Sequence, residues 1–153
     1  MKPVTLLLLA FVLVYTASTK NDDRSRLKEI IDNVRMLLEK STKFLNEMVP
    51  NEFDKIRCSK NGPQDFCIAE EILSGINYTQ YGITNTEWRI VRILQQYRTN
   101  HSANCTVKQD EDEQQLSDLL KNLGCCAQSK YRHHKRSRRS ADNIYEKFCE
   151  SKN

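Results

Sequence analysis

Apolar residues recur along this chain at helical spacing, in four separate stretches. In the first, Leu27, Ile30, Ile31, Val34, Leu37, Leu38, Phe44, Leu45 and Met48 fall mostly three or four apart. Residues so spaced share one face of a helix. No Pro or Gly interrupts them, Ser25 stands where a cap is needed, and Pro50 marks the end. The pattern predicts one long amphipathic helix, A. A polar loop, 51–61, follows. Asn61-Gly62-Pro63 is turn punctuation, and Pro63 suits the first helical position, where its missing N–H is not needed. Ile68, Ala69, Ile72, Leu73 and Ile76 then give helix B its apolar face. Thr84 and Glu87 have the spacing of a capping box, and Trp88, Ile90, Val91, Ile93, Leu94 and Tyr97 follow as helix C. Residues 98–109 are polar and read as a loop. Asp110 to Glu113 form an acidic first turn, which complements the positive end of a helix. Leu116, Leu119, Leu120 and Leu123 make helix D, expected to run to about Ser129 with Gly124 weakening its end. Further on, Ser140 is placed to cap a short amphipathic piece carrying Ile144, Tyr145 and Phe148. No strand of any length competes.

Four helices with one apolar stripe each can bury those stripes only against one another. The expected fold is all-α, a four-helix bundle. The B–C connection is short, so B and C should be antiparallel neighbours. The A–B and C–D connections are longer and permit crossovers, which gives an up-up-down-down bundle. That arrangement brings the start of B, the end of C and the end of D to one end of the molecule. Cys58, Cys67, Cys105, Cys125 and Cys126 all lie near those positions. The favoured pairing is Cys67–Cys105, then Cys58 with Cys125 or Cys126, and Cys149 with the one left over. Six cysteines allow fifteen connectivities, so this is a preference among many.

The chain begins with a short basic start, Met1-Lys2-Pro3, an apolar run from Val4 to Val14, and small or polar residues from Tyr15 to Lys20. That is the order of a secretory signal peptide, here residues 1–19, with cleavage expected between Ala17 and Lys20. The apolar run is short of the ~20 residues that span a bilayer, which disfavours the alternative of a signal anchor. Export makes an even number of cysteines read as disulfides. The triplets at Asn77, Asn100 and Asn104 fit the N-glycosylation pattern and agree with export; Asn100 and Asn104 crowd each other, so glycans are expected at Asn77 and at one of those two.

Charge is unevenly placed. The formal net charge is +4, yet Lys130 to Arg139 alone carries six positive residues and no acid. The body before Lys130 is close to neutral, which gives little support to a nucleic-acid role. Residues 130–153 therefore stand apart as a basic segment and C-terminal tail. Arg136-Ser137-Arg138-Arg139 fits the pattern cut by furin-type proprotein convertases. The same cluster suits heparan sulfate, or a solvated linker. A zinc site from Cys125, Cys126, His133 and His134 is conceivable, but an exported chain with paired cysteines favours bridges. No phosphate loop, nucleophile elbow or metal-spaced His pair is found. The sequence gives no catalytic residue, metal or cofactor.

Three stretches carry a resemblance. They are Leu27-Lys28-Glu29-Ile30-Ile31-Asp32-Asn33-Val34 with Met48-Val49-Pro50-Asn51-Glu52-Phe53; Phe66-Cys67-Ile68-Ala69-Glu70-Glu71-Ile72-Leu73; and Leu119-Leu120-Lys121-Asn122 with Cys126-Ala127-Gln128-Ser129. In this order they resemble the short-chain cytokines that use the common gamma receptor chain, the interleukin-2, interleukin-15 and interleukin-21 group. Residues 20–129 would then be the cytokine domain. The resemblance implies a secreted, monomeric ligand that brings cell-surface receptor chains together, without catalysis. It implies a receptor contact by Asp32 on helix A and another, to the gamma chain, by Gln128 on helix D. Interleukin-15 and interleukin-21 place two Cys before the fourth helix, whereas Cys105 stands alone here. Asp65-Phe66-Cys67-Ile68-Ala69 and the near-terminal Cys149 also resemble interleukin-4 and interleukin-13, which remain the alternative within the family. Outside it, a secreted antimicrobial or lipid-binding helical protein stays open.

Overall fold

The computed structural model describes residues 22–52, 58, 63–101, 103–107 and 112–134. The expected signal peptide, the convertase pattern at Arg136, Arg138 and Arg139, and Cys149 lie outside these residues. The expected helix A is two helices. The first, α1, covers 22–38, so Ser25 lies inside it rather than at its cap. Its last turn tightens: the N–H groups of Glu39 and Lys40 reach back to the carbonyls of Met36 and Leu37, three residues earlier. Ser41 then restarts the helix. Its Oγ accepts from the Phe44 N–H at 3.4 Å, and α2 runs Thr42–Leu45. The bend carries Phe44 edge-on to Tyr81 and Trp88, at centroid distances of 5.5 and 5.9 Å. An unbroken helix would point it elsewhere.

Beyond α2 the chain extends into β1, Met48–Pro50, and Met48 is half exposed rather than in the core. Its partner is β2, Glu113–Gln115, antiparallel with Val49 opposite Gln114. The sequence reading had no strand here, because three residues are too few to show alternation. Glu113, expected in the first turn of helix D, is therefore in the strand. The helix itself, α5, starts at Leu116, whose N–H donates to the Glu47 carbonyl at 2.7 Å, and runs Leu116–His134. It passes Ser129, so the first residues of the basic run are helical.

Between the strands lie α3, Pro63–Ser74, and α4, Ile90–His101. Pro63 opens α3 as expected. A 3-10 turn, Tyr78–Tyr81, joins them and closes at Gly82, whose φ of 73° suits glycine. Thr84 and Glu87 form one half of the expected capping box: the Thr84 N–H donates to Glu87 Oε2 at 2.8 Å, while the Glu87 N–H goes to the Thr84 carbonyl rather than to its hydroxyl. It caps a turn, and α4 begins only at Ile90. The helix then continues through Arg98, Asn100 and His101, which the sequence placed in a loop.

The ends of the helices are fixed by named contacts. The start of α3 meets the end of α4 through Phe66 and Tyr97, at 4.9 Å between rings. The start of α1 meets the end of α4 through Asp23 and His101, at 3.0 Å. Near the other end of α1, Asn33 Nδ2 donates to the Glu87 carbonyl at 3.0 Å, just before α4. The end of α5 meets the start of α1, where Arg24 donates to the Tyr131 hydroxyl at 3.3 Å. It also meets the start of α3, where the Lys130 ammonium lies 5.4 Å from the Phe66 ring centre. Among these helices one continuous core is buried, with Leu27, Ile30, Leu37, Phe44, Phe66, Leu73, Ile90, Leu94, Leu119 and Leu120 all fully enclosed. Each such side chain contributes about 1.5–3 kcal/mol by leaving water.

Candidate binding surface

Two disulfides join the described residues. Cys67–Cys105 is the expected pair, with Cα atoms 5.9 Å apart. Cys58–Cys126, at 5.5 Å, resolves the choice left open for Cys58. Cys125 is also disulfide-bonded. Its expected partner, Cys149, lies outside the described residues. With Cys125 and Cys126 both oxidised, neither offers a thiolate to zinc. Asp65 packs against Cys58 and Cys126, but those two sulfurs are bonded to each other and not available as ligands.

The disulfide end also holds buried polar groups that the sequence did not single out. Glu70 is enclosed and pairs with Arg98 at 2.8 Å. Burial raises its carboxyl above the ordinary value, and Arg98 acts against that rise. Lys130 lies half-buried over Phe66, so burial lowers its ammonium, with Asp65 opposing. Burial pushes the Tyr97 hydroxyl up to about 12, helped by the negative charge of Asp23. The sequence signal was present at Glu70 and Asp65: each stands among apolar residues of one helix and is carried inward with them.

The two residues singled out for receptor contact part company. Asp32 stands on the open side of α1. Its side chain is 53% exposed and has a long, 4.0 Å pairing with Arg35 one turn on. Its carboxylate is therefore available to an incoming donor. Gln128 is 1% exposed. Its place among Leu123, Cys126 and Ala127 turns it into the interior, so the expected contact through its amide has no surface to use. On the same helix Lys121, Ser129 and Arg132 face solvent instead.

A second open feature is a polar groove between α1 and α4, of about 310 Å³, lined by Asp22, Arg26, Arg92, Gln95, Thr99 and Asn100 among others. Arg26 is held by Asp22 and Glu29 at 3.8 Å each. Arg92 is exposed and makes no ion pair among the described residues. The sequons differ too. Asn77 is exposed in the turn after α3, Asn100 lies within α4, and Asn104 follows it, exposed and outside regular structure, beside Cys105. Among the described residues no helix is long and apolar enough to cross a membrane. Comparison with protein-family models, with curated proteins and with solved structures gave no match in any of the three.

Proposed function

We propose that this chain is a secreted cytokine of the short-chain four-helix type, which brings cell-surface receptor chains together and acts by binding alone. The observation that carries the reading is the pairing of helix ends. The starts of α1 and α3 both meet the ends of α4 and α5. Helices joined so run two one way and two the other. The connections that must then cross the bundle are the long ones, and they are the two that pair as β1 and β2. This supports the up-up-down-down arrangement of helical cytokines. Disulfides at one end agree with an oxidising, extracellular compartment. The resemblance of helices A, B and D to the interleukin-2 and interleukin-21 group points the same way and to receptors containing the common gamma chain.

In this reading Asp32 provides a carboxylate on an exposed helix face, suited to a charged or hydrogen-bonding receptor group. The open side of α5, with Lys121, Ser129 and Arg132, takes the place first expected for Gln128. Arg132 also belongs to the basic run through which heparan sulfate would hold the ligand near cells.

The test is receptor-dependent signalling. Purified mature protein is added to lymphocytes of its own species, and phosphorylation of the transcription factors downstream of the common gamma chain is read. A response that Asp32→Ala weakens at least tenfold in potency, with helical content unchanged, supports both the class and the face. A response that the variant keeps in full removes Asp32 from the contact. Silence from correctly oxidised protein on all lymphocyte types removes the cytokine reading, and leakage of lipid vesicles would then favour a membrane-active helical protein.

A further inference from the structure

Three sequons stand in this chain, and the surroundings of their amides are not alike. At Asn77 the residue is exposed and non-helical, with φ −84° and ψ 80°. The Thr79 hydroxyl donates to the Asn77 amide oxygen at 2.7 Å. The sequon is thus already folded on itself, hydroxyl to carbonyl, and the amide nitrogen is left outward. At Asn100 the reverse holds. The residue is inside α4, and its amide nitrogen donates to Asp22 Oδ2 at 3.3 Å. At Asn104 the sequon's middle residue is Cys105, bonded to the fully buried Cys67. Gln64 further ties the Asn104 carbonyl to α3, at 3.5 Å. Once that disulfide has closed, the triplet cannot peel away from the body to enter an enzyme's cleft.

We infer that Asn77 is the residue of this chain that carries an N-linked glycan, that Asn100 stays bare, and that Asn104 competes for its glycan with closure of the Cys67–Cys105 disulfide. The inference rests on the secreted reading, since the transferase and its donor are met only on the export route. The donor is an oligosaccharide joined to a lipid through a diphosphate. The Asn77 amide nitrogen forms a bond to the anomeric carbon of the first sugar and loses one proton. The bond from that carbon to the diphosphate oxygen breaks, and the lipid diphosphate leaves with the electron pair. No oxidant or reductant is needed. The placement fits ligand function: a glycan on Asn77 stands at the turn after α3, whereas one on Asn100 would fill the groove between α1 and α4.

The experiment expresses the full chain in cultured animal cells and treats medium and lysate with an amidase that releases N-glycans. Gel mobility is read before and after. The expected result is one glycan on the secreted protein, lost in Asn77→Gln and in Thr79→Ala, and kept in Asn100→Gln and Asn104→Gln. The double variant Cys67→Ser, Cys105→Ser is expected to gain a second glycan, lost again when Asn104→Gln is added. Because Thr79→Ala leaves Asn77 in place, it separates loss of the acceptor from loss of folding. A glycan that survives both Asn77→Gln and Thr79→Ala overturns the inference, as does secreted protein with no glycan, which leaves export standing. Protein confined to the cytosol and bare at every site overturns the secreted reading and the inference with it.

Discussion

The two ends of the molecule are held by different means. At the end where α3 begins and α4 and α5 finish, two disulfides surround buried polar groups: Asp65, Glu70 and Gln128. At the opposite end no described cysteine is present. There Phe44 packs edge-on to Tyr81 and Trp88, Tyr78 stacks on Trp88 at 5.2 Å, and the exposed-side link is Lys40 to Glu87. The first end also has a ring pair, Phe66 on Tyr97 at 4.9 Å, so the covalent links and the buried charge are what set it apart. The other relies on aromatic burial and one capped turn. The difference teaches where each kind of damage should register. Apolar truncation should tell most at the aromatic end, and loss of charge partners at the disulfide end.

The largest effect is expected from Phe44→Ala. Phe44 is fully enclosed and touches two other rings, so its removal leaves a cavity and costs about 4 kcal/mol. Urea unfolding followed by the emission of Trp88, the sole tryptophan, measures it directly. The native emission should also shift to longer wavelength as water reaches the ring. Next comes the double variant Cys67→Ser, Cys105→Ser. Opening this cross-link, with its separation of 38 residues, should remove about 3 kcal/mol by freeing the unfolded chain. Native Trp88 emission should stay unchanged, because the bond lies at the other end. An equal red shift in both variants would dissolve the distinction between the ends.

A sharper probe of the disulfide end is Arg98→Met. It leaves Glu70 enclosed without its cation. The loss should be about 2 kcal/mol, below the 3–5 of a fully buried pair because Arg98 keeps a quarter of its surface in water. Adding Glu70→Leu should restore most of that loss, since two apolar groups need no partner. Thermal unfolding of the single and double variants decides it. If the double variant is no better than the single, Glu70 is not what the missing arginine leaves exposed to cost.

Much of this architecture was legible beforehand. The apolar spacing locates all four main helices, and the lengths of their connections bring Cys67 to Cys105. What escaped was short or depended on the far chain. The bend at Ser41 brings Phe44 to Trp88, 44 residues away, and its one local sign, the Ser41 cap, stands inside an apolar pattern that runs on unbroken. The strands are three residues each, and their pairing was decided by the connections running together. Gln128 was misplaced for a related reason. Its receptor contact was implied by the resemblance alone, and the packing of α5 against its neighbours turns the side chain inward. Asp32 lies off the apolar stripe of α1, and that spacing alone is enough to leave it exposed.

The smallest expected effect separates the ends by the sign of their response to acid. Hydrogen bonding from Lys40, then from the Thr84 backbone and hydroxyl, holds the Glu87 carboxyl down at about 2 from its ordinary 4.5. A depressed carboxyl stabilises the fold above its unfolded value, and that contribution fades as pH falls from about 4.5 through about 2. Glu70 is shifted the other way by burial, so protonation on the acid side relieves it and favours the fold. Acid should therefore loosen the aromatic end first while the disulfide end gains. Glu87→Gln keeps an oxygen for the Thr84 N–H but loses the charge that Lys40 meets. At pH 7 it should be modestly less stable than the parent, and the two stability curves should converge as pH falls through the window from 4.5 to 2. Trp88, beside this turn, reports the change in urea titrations at each pH. Parallel curves across that window would mean that the Lys40–Glu87 link closes the turn without stabilising it, and that the aromatic cluster alone holds this end.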